Sequence, residues 1–218
     1  MQLKSKYLFV LFFSLVFVSC SSEVNNDAVT QQALPILGPK YVEDGDTVYH
    51  TIGSFSFIDQ HNQAFTEKQT KGKVYITDFF FTSCPVQCPK MSSQMKRLAT
   101  NIKDLDEVLF VSHAIDFVRD SVDRINEYRK NNGLEFDNWY FLEAREMYTN
   151  DIATNEYLLL SKEDVEAAGG YAHSPLFALI DMQGRIRGYY DGQETAEVDQ
   201  LEHDLRKLMK LEYGVSTQ

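Results

Sequence analysis

Val74-Tyr75-Ile76-Thr77-Asp78-Phe79-Phe80-Phe81 is the stretch whose reading decides the fold. Its near-continuous β-branched and aromatic content suits a central strand buried on both faces. The loop Thr82-Ser83-Cys84-Pro85-Val86-Gln87-Cys88-Pro89 follows. Met91, Met95, Leu98 and Ile102 then recur at spacings of 4, 3 and 4, one face of a helix. Downstream, Val108 to Val111 reads as a second strand. A helix starting at Asp120 or Ser121 turns Val122, Ile125 and Tyr128 inward and stops at Asn131-Asn132-Gly133. Trp139-Tyr140-Phe141-Leu142 is a third strand, and residues 145–168 are expected to be mostly helical up to Gly169-Gly170. Leu176 to Ile180 and Arg185 to Tyr190 flank a turn and form a hairpin. Val198, Leu201, Leu205 and Leu208 mark a closing helix. Upstream, Phe55 to Asp59 and Ala64-Phe65 read as a small hairpin. The order predicts an α/β fold: a central mixed sheet flanked by helices, with an N-terminal hairpin extension.

The 218 residues carry 21 Lys+Arg against 32 Asp+Glu, a net charge of −11. An acidic chain without a basic cluster is a poor partner for nucleic acid, whose affinity comes mainly from phosphate neutralisation. Lys4 and Lys6 precede the apolar run Tyr7 to Val18, which is too short to span a membrane and has the pattern of a secretory leader. Phe17-Val18-Ser19-Cys20 resembles a bacterial lipobox, with Phe17 where Leu is usual. That resemblance implies cleavage before Cys20 and a lipid on its thiol. The polar stretch that follows reads as a flexible tether. The expected organisation is a leader at 1–19, a lipid-anchored tether at 20–47 and a folded body at 48–213. The compartment is the bacterial cell envelope, facing the extracytoplasmic space or periplasm.

Cys84 and Cys88 are the informative pair. Each precedes proline, which disfavours helix at the residue before it, so Cys84 belongs to the loop. Pro89 suits the first helical position and places Cys88 at the cap, where the helix dipole favours thiolate. Three intervening residues let the sulfurs approach for either a disulfide or a shared soft metal. A structural bridge closing so short a loop would remove little chain entropy. His173 opens a later strand, and by itself one histidine there is a weak signal.

Together these residues resemble the SCO/SenC family of copper chaperones. Phe79-Phe80-Phe81-Thr82-Ser83-Cys84-Pro85-Val86-Gln87-Cys88-Pro89-Lys90-Met91 is similar to its aromatic strand and C-P-x-x-C-P segment. Val111 to Ser121 is similar to its Ser-x-Asp-Pro-x-Arg-Asp-Thr stretch, and Trp139 to Leu142 to its Trp-x-Phe-Leu strand. His173-Ser174 with Leu179 to Gly184 resembles its His-Ser/Thr segment and following turn. Three departures stand out: Val86-Gln87 where an aspartate is frequent, Phe117 for a proline, and Glu143-Ala144 for Thr-Gly.

The resemblance implies a thioredoxin-like fold with one copper ion, Cu(I) or Cu(II), held by Cys84, Cys88 and His173. Two thiolates and an imidazole suit Cu(I), though zinc could use the same donors. It also implies delivery of copper to, or maturation of, the copper subunit of a cytochrome oxidase. The rival reading is a thiol–disulfide oxidoreductase working through a reversible Cys84–Cys88 disulfide. Thioredoxins separate their cysteines by two residues and need no His173; a single-cysteine peroxidase would also leave that histidine unused. Asp78, His113, Asp116 and Pro175 are candidates for the surroundings of the site. Thioredoxins carry a cis-proline at this place, which gives the expectation that Pro175 is cis. Met91 is assigned to the core.

Overall fold

The structure is a computed structural model and describes residues 32–145 and 148–215. Five strands form the central sheet: β5 (Tyr75–Phe80), β6 (Leu109–Ala114), β7 (Trp139–Leu142), β10 (Leu176–Ile180) and β11 (Ile186–Asp191). Their order is β11-β10-β5-β6-β7. The two crossovers β5–β6 and β6–β7 are parallel, whereas β10 runs antiparallel to both β5 and β11. All six residues of β5 are buried, as a strand with neighbours on both sides and layers on both faces requires.

Period-two alternation divides β5 between two layers. Phe80 stacks on Tyr128 of α3 (Val122–Asn132), with centroids 5.6 Å apart. Tyr128 in turn meets Ser92 of α2 (Gln87–Asn101) at 2.7 Å, hydroxyl to hydroxyl. Phe79 faces the other way and stacks on His113, centroids 5.0 Å apart. This second layer comes from the hairpin β3 (Ser56–Ile58) and β4 (Ala64–Thr66), followed by the short α1 (Glu67–Thr70). It also includes a π-helical turn at Ile152–Glu156 that continues α4 (Tyr148–Asp151). Met91, Met95, Leu98 and Ile102 are buried, as their spacing predicts. So are Val198, Leu201, Leu205 and Leu208 of α5 (Thr195–Tyr213). Ser121 caps α3 by accepting from Arg124 N, and Gly133 ends it in the left-handed conformation. Among the described residues no helix is long and apolar enough to cross a membrane.

Two expectations change. The compact unit that holds the central sheet includes residues from Ala33 on, upstream of residue 48. A hairpin of β1 (Lys40–Glu43) and β2 (Asp46–Tyr49) lies within the stretch read as tether. Leu37 bridges to Ile186, and Arg187 donates to the carbonyls of Leu34 (2.6 Å) and Pro35 (2.9 Å). Arg187 is 2% exposed and also pairs with Asp181 and Glu212, so the segment is fixed by a buried charge that polarity alone does not reveal. Secondly, residues 145–168 are not mostly helical. The helical stretch stops at Tyr157, and Leu158 adopts a positive φ of 54°. Tyr157 to Ser161 alternate buried and exposed, a strand period, and lead into β8 (Ser161–Glu163) paired with β9 (Tyr171–His173). Tertiary pairing overrides the local helix propensity.

His113 has neither ring nitrogen hydrogen-bonded and is enclosed by Phe55, Phe57, Phe79 and Tyr157. Burial pushes its pKa from 6.5 down to about 3. The unfolded chain therefore takes up a proton near pH 6.5 that the folded chain refuses until about pH 3. Acidification through that window favours unfolding. His113→Phe should remove this linkage, so its stability advantage should grow by up to ~1.4 kcal/mol per pH unit as pH falls from 6.5. Urea midpoints of variant and parent at a series of pH values measure it. A constant offset across the series would refute the assignment.

Candidate metal centre

The loop after β5 is pinned at both ends. Thr82 donates to Asp120 from its backbone N (3.1 Å) and its hydroxyl (2.5 Å), and Cys84 N donates to Phe81 O at 3.2 Å. Helix α2 begins at Gln87, earlier than the cap assignment of Cys88 implies. Cys88 thus sits inside the first turn with Pro89 after it. First-turn N–H groups lack intrahelical partners, so proline is tolerated there without being first. Cys88 N donates instead to Cys84 Sγ at 3.3 Å. The helix terminus therefore stabilises Cys84, not Cys88, as thiolate.

The two sulfurs are both free and electrostatically unequal. Cys84, partly exposed, is pulled down to about 4, first by the Cys88 thiol that donates to it and also by backbone N–H groups, against the effect of burial. Cys88 is 1% exposed, and its bond to Cys84 together with burial pushes its pKa far up, so it keeps its proton.

His173 ends β9. Its Nδ1 lies 3.0 Å from Ser174 O, so Nδ1–H donates there and Nε2 carries the lone pair. Nε2 stands 3.5 Å from Cys88 Sγ, across 85 positions of sequence. Phe81 meets the ring edge-on, centroids 5.9 Å apart. The strand is clipped in place by Ser174, which accepts from Leu160 N at 3.0 Å and donates its own N–H to Leu160 O at 2.9 Å. Pro175 follows in the trans form, since no peptide bond among the described residues is cis. The cis expectation fails because this segment stays extended, Gly192 N donating to Pro175 O at 2.8 Å, and trans is the lower-energy isomer.

The other candidate residues divide. Asp116 is fully buried, pairs with the Arg119 guanidinium and accepts from Tyr171 OH at 3.3 Å, two residues before His173. Arg119 also donates to Gly169 O at 2.5 Å. Gly169 has φ +89°, and a Cβ there would come within 2.5 Å of Phe81 Cε2, so this approach needs glycine. Asp78 lies on the α2–α3 side of β5 and accepts from Ser112 Oγ at 2.5 Å, which accepts from Trp139 Nε1 at 2.9 Å. Burial raises Asp78 to about 6, against the hydrogen bond from Ser112. His113 is on the opposite face of the sheet and takes no part. Met91 is core, 1% exposed. Cys20 lies outside the described residues.

Sequence reasoning missed Gln87, Arg119, Asp120 and Tyr171 as site residues. Gln87 Nε2 lies 3.3 Å from both ring nitrogens of His173 and from His173 O. Arg119 and Asp120 fall in the stretch that carried the family resemblance, but their roles become visible only in three dimensions. Beside the sulfurs opens a cavity of about 360 Å³, lined in part by Cys84, Val86, Gln87, Ala168, Tyr171 and His173.

The donor set fits a soft metal. Sulfur and imidazole nitrogen bound to one tetrahedral ion at roughly 2.3 and 2.0 Å would stand roughly 3.5 Å apart, the spacing of Cys88 and His173. Among the described residues no three such donors already form a ready-made metal cluster.

The five-stranded mixed sheet with helices on both faces defines a thioredoxin-like domain. The SCO1/SenC family model matches residues 43–210, and the chain belongs to that family. A SCO1 protein homolog of Bacillus subtilis (strain 168) is 26% identical over 168 residues, 76% of this chain and 86% of its own. BsSco, in a structure concerned with a disulfide switch in a cytochrome c oxidase assembly protein, superposes with a TM-score of 0.69 at 24% identity over 83% of this chain and 99% of that one. Yeast Sco1 with copper bound superposes with a TM-score of 0.59 at 21% identity, over 78% of this chain and 96% of that one.

Alkylation should separate the two thiols. At pH 6 iodoacetamide, read by peptide mass mapping, is expected to label Cys84 at least roughly tenfold faster than Cys88, since only the exposed thiolate reacts. Equal rates, or Cys88 first, would overturn the electrostatic assignment.

Proposed function

We propose that the chain is an extracytoplasmic copper carrier that delivers one copper ion to a respiratory oxidase. Cys84, Cys88 and His173 are its ligands. The observation that carries the reading is the 3.5 Å approach of His173 Nε2 to Cys88 Sγ, because neither disulfide exchange nor core packing needs an imidazole with its lone pair aimed at a sulfur. The copper found in yeast Sco1, a protein of the same fold, supports the choice of metal. The assembly role named for BsSco supports the choice of client.

The chain's own residues set the terms of loading. Cys84 already offers a thiolate at the surface. Cys88 has to give up its proton, and His173 Nε2 and the Cys84 thiolate both face it. The soft, few-membered donor set suits Cu(I), and imidazole adds affinity for Cu(II). Anaerobic titration of the reduced soluble body, with metal content read by elemental analysis, tests this. His173→Ala should lose most Cu(II) binding and keep part of the Cu(I) binding, whereas Cys84→Ser or Cys88→Ser should impair both. Parent-like binding of both copper states by His173→Ala would end the copper reading.

The second reading, a thiol–disulfide oxidoreductase, draws on the unequal sulfurs: a partly exposed thiolate beside a buried thiol suits attack on a client disulfide followed by resolution. Turnover of a disulfide substrate by His173→Ala at the parent's rate, with no metal bound by either, would favour it.

The membrane anchor completes the proposal: a leader at 1–19, a lipid on Cys20, and a tether that links it to the folded body. Cys20→Ser should move the protein from the membrane to the soluble fraction or leave its leader uncleaved. An unchanged membrane fraction with an unchanged intact mass would refute the anchor.

A further inference from the structure

Gln87 touches His173 in three ways, and the geometry decides what kind of contact this is. Its amide nitrogen is equally distant, at 3.3 Å, from Nδ1 and Nε2. A donor in the plane of the ring could not be so close to both without running into the carbon between them. The amide therefore lies over the face of the imidazole, a weak N–H to π contact, and not on either lone pair. Nδ1 is in any case engaged by Ser174 O at 3.0 Å, which leaves Nε2 open toward Cys88. The same amide nitrogen reaches the His173 carbonyl, also at 3.3 Å.

The ring is thus held from several sides. Gln87 covers one face, Phe81 meets the ring edge-on, and the Ser174 carbonyl fixes the tautomer. A cysteine sulfur is a weak hydrogen-bonding group, so the 3.5 Å Cys88–His173 contact alone holds the ring weakly in the metal-free protein. Gln87 is the first residue of α2, and its bond to the His173 carbonyl is a polar tie between the helix that carries Cys88 and the strand that carries His173.

We propose that Gln87 is a positioning residue that assembles the two halves of the metal site before metal arrives. It holds the imidazole plane so that Nε2 faces Cys88 Sγ, and it does not itself bind the ion. Preorganisation of this kind lowers the ordering cost of ligation. The effect falls on binding that depends on imidazole, which is Cu(II) more than Cu(I).

The proposal rests on the copper reading, and the experiment separates the two. Gln87→Ala and Gln87→Leu are compared with the parent and with His173→Ala, using Cu(II) and Cu(I) titrations. Electron paramagnetic resonance of the Cu(II) forms and NMR of the His173 ring in the metal-free protein complete the set. Both Gln87 variants should weaken Cu(II) binding roughly two- to tenfold, the factor that one neutral hydrogen bond carries, and weaken Cu(I) binding by a smaller factor. The metal-free His173 ring should become more mobile, while the resonance of the loaded site keeps the parent's nitrogen coupling. A changed coordination signature would make Gln87 a ligand and overturn the positioning role. Parent-like affinity and ring mobility would overturn it as well, and so would Leu restoring what Ala loses, since that would leave only bulk. If His173→Ala binds Cu(II) like the parent, it is the copper reading that fails.

Discussion

The register of β10 on β5 is the constraint on which the rest depends. Ala178 pairs with Thr77, Leu179 with Ile76 and Ile180 with Tyr75. This antiparallel pairing returns the chain along β5 and sets the residues before Leu176 beside the loop that follows Phe80. A slip of one residue would reverse every side chain of the strand. Phe177 to Ile180 are all buried, so any such slip would break packing on both faces. The site therefore inherits its precision from a strand pair in the core, several residues away from either sulfur.

The core pairing fixes where the two halves meet, and the turn from Asp116 to Asp120 fixes how they are held. Asp116 with Arg119 reaches Tyr171 and Gly169 on the histidine side. Asp120 reaches Thr82 on the cysteine side, and burial raises its pKa to about 6 against the Thr82 bonds. Buried carboxylates are costly unless they are well hydrogen-bonded, and here each has an assignable partner. One turn of chain at the end of β6 thus braces both loops. Its charged residues shape the site without pointing into it.

The central strands, α2, α3, α5 and the β3–β4 hairpin were legible in the sequence because each carries an apolar period. The approach of His173 to Cys88 was legible only through the family resemblance, since spacing alone could not join residues so far apart. The stretch from 157 to 168 was misread because its Glu, Asp and Ala content favours helix while its structure is set by pairing with β9. The buried Arg187 that gathers Leu34 and Pro35 was hidden for a similar reason: a lone arginine in a strand does not announce a partner 152 positions away. His113 was a fair candidate by position. However, β6 alternates, and Ser112, not His113, shares a face with Asp78.

The cysteine pair shows why burial matters more than position on the helix. A cap assignment for Cys88 made it the activated thiol, on the argument that the helix dipole favours thiolate. The helix starts at Gln87, and the free N–H of Cys88 is directed out of the turn at Cys84 Sγ. The favourable terminus thus acts on the preceding sulfur. Cys88 is enclosed under the loop, where a second negative charge beside the first would be uncompensated. The two effects have opposite signs, and they leave the proton on Cys88. Any cation that enters has to replace that proton. The same enclosure that raises the Cys88 pKa therefore makes occupancy of the site an exchange of metal for proton.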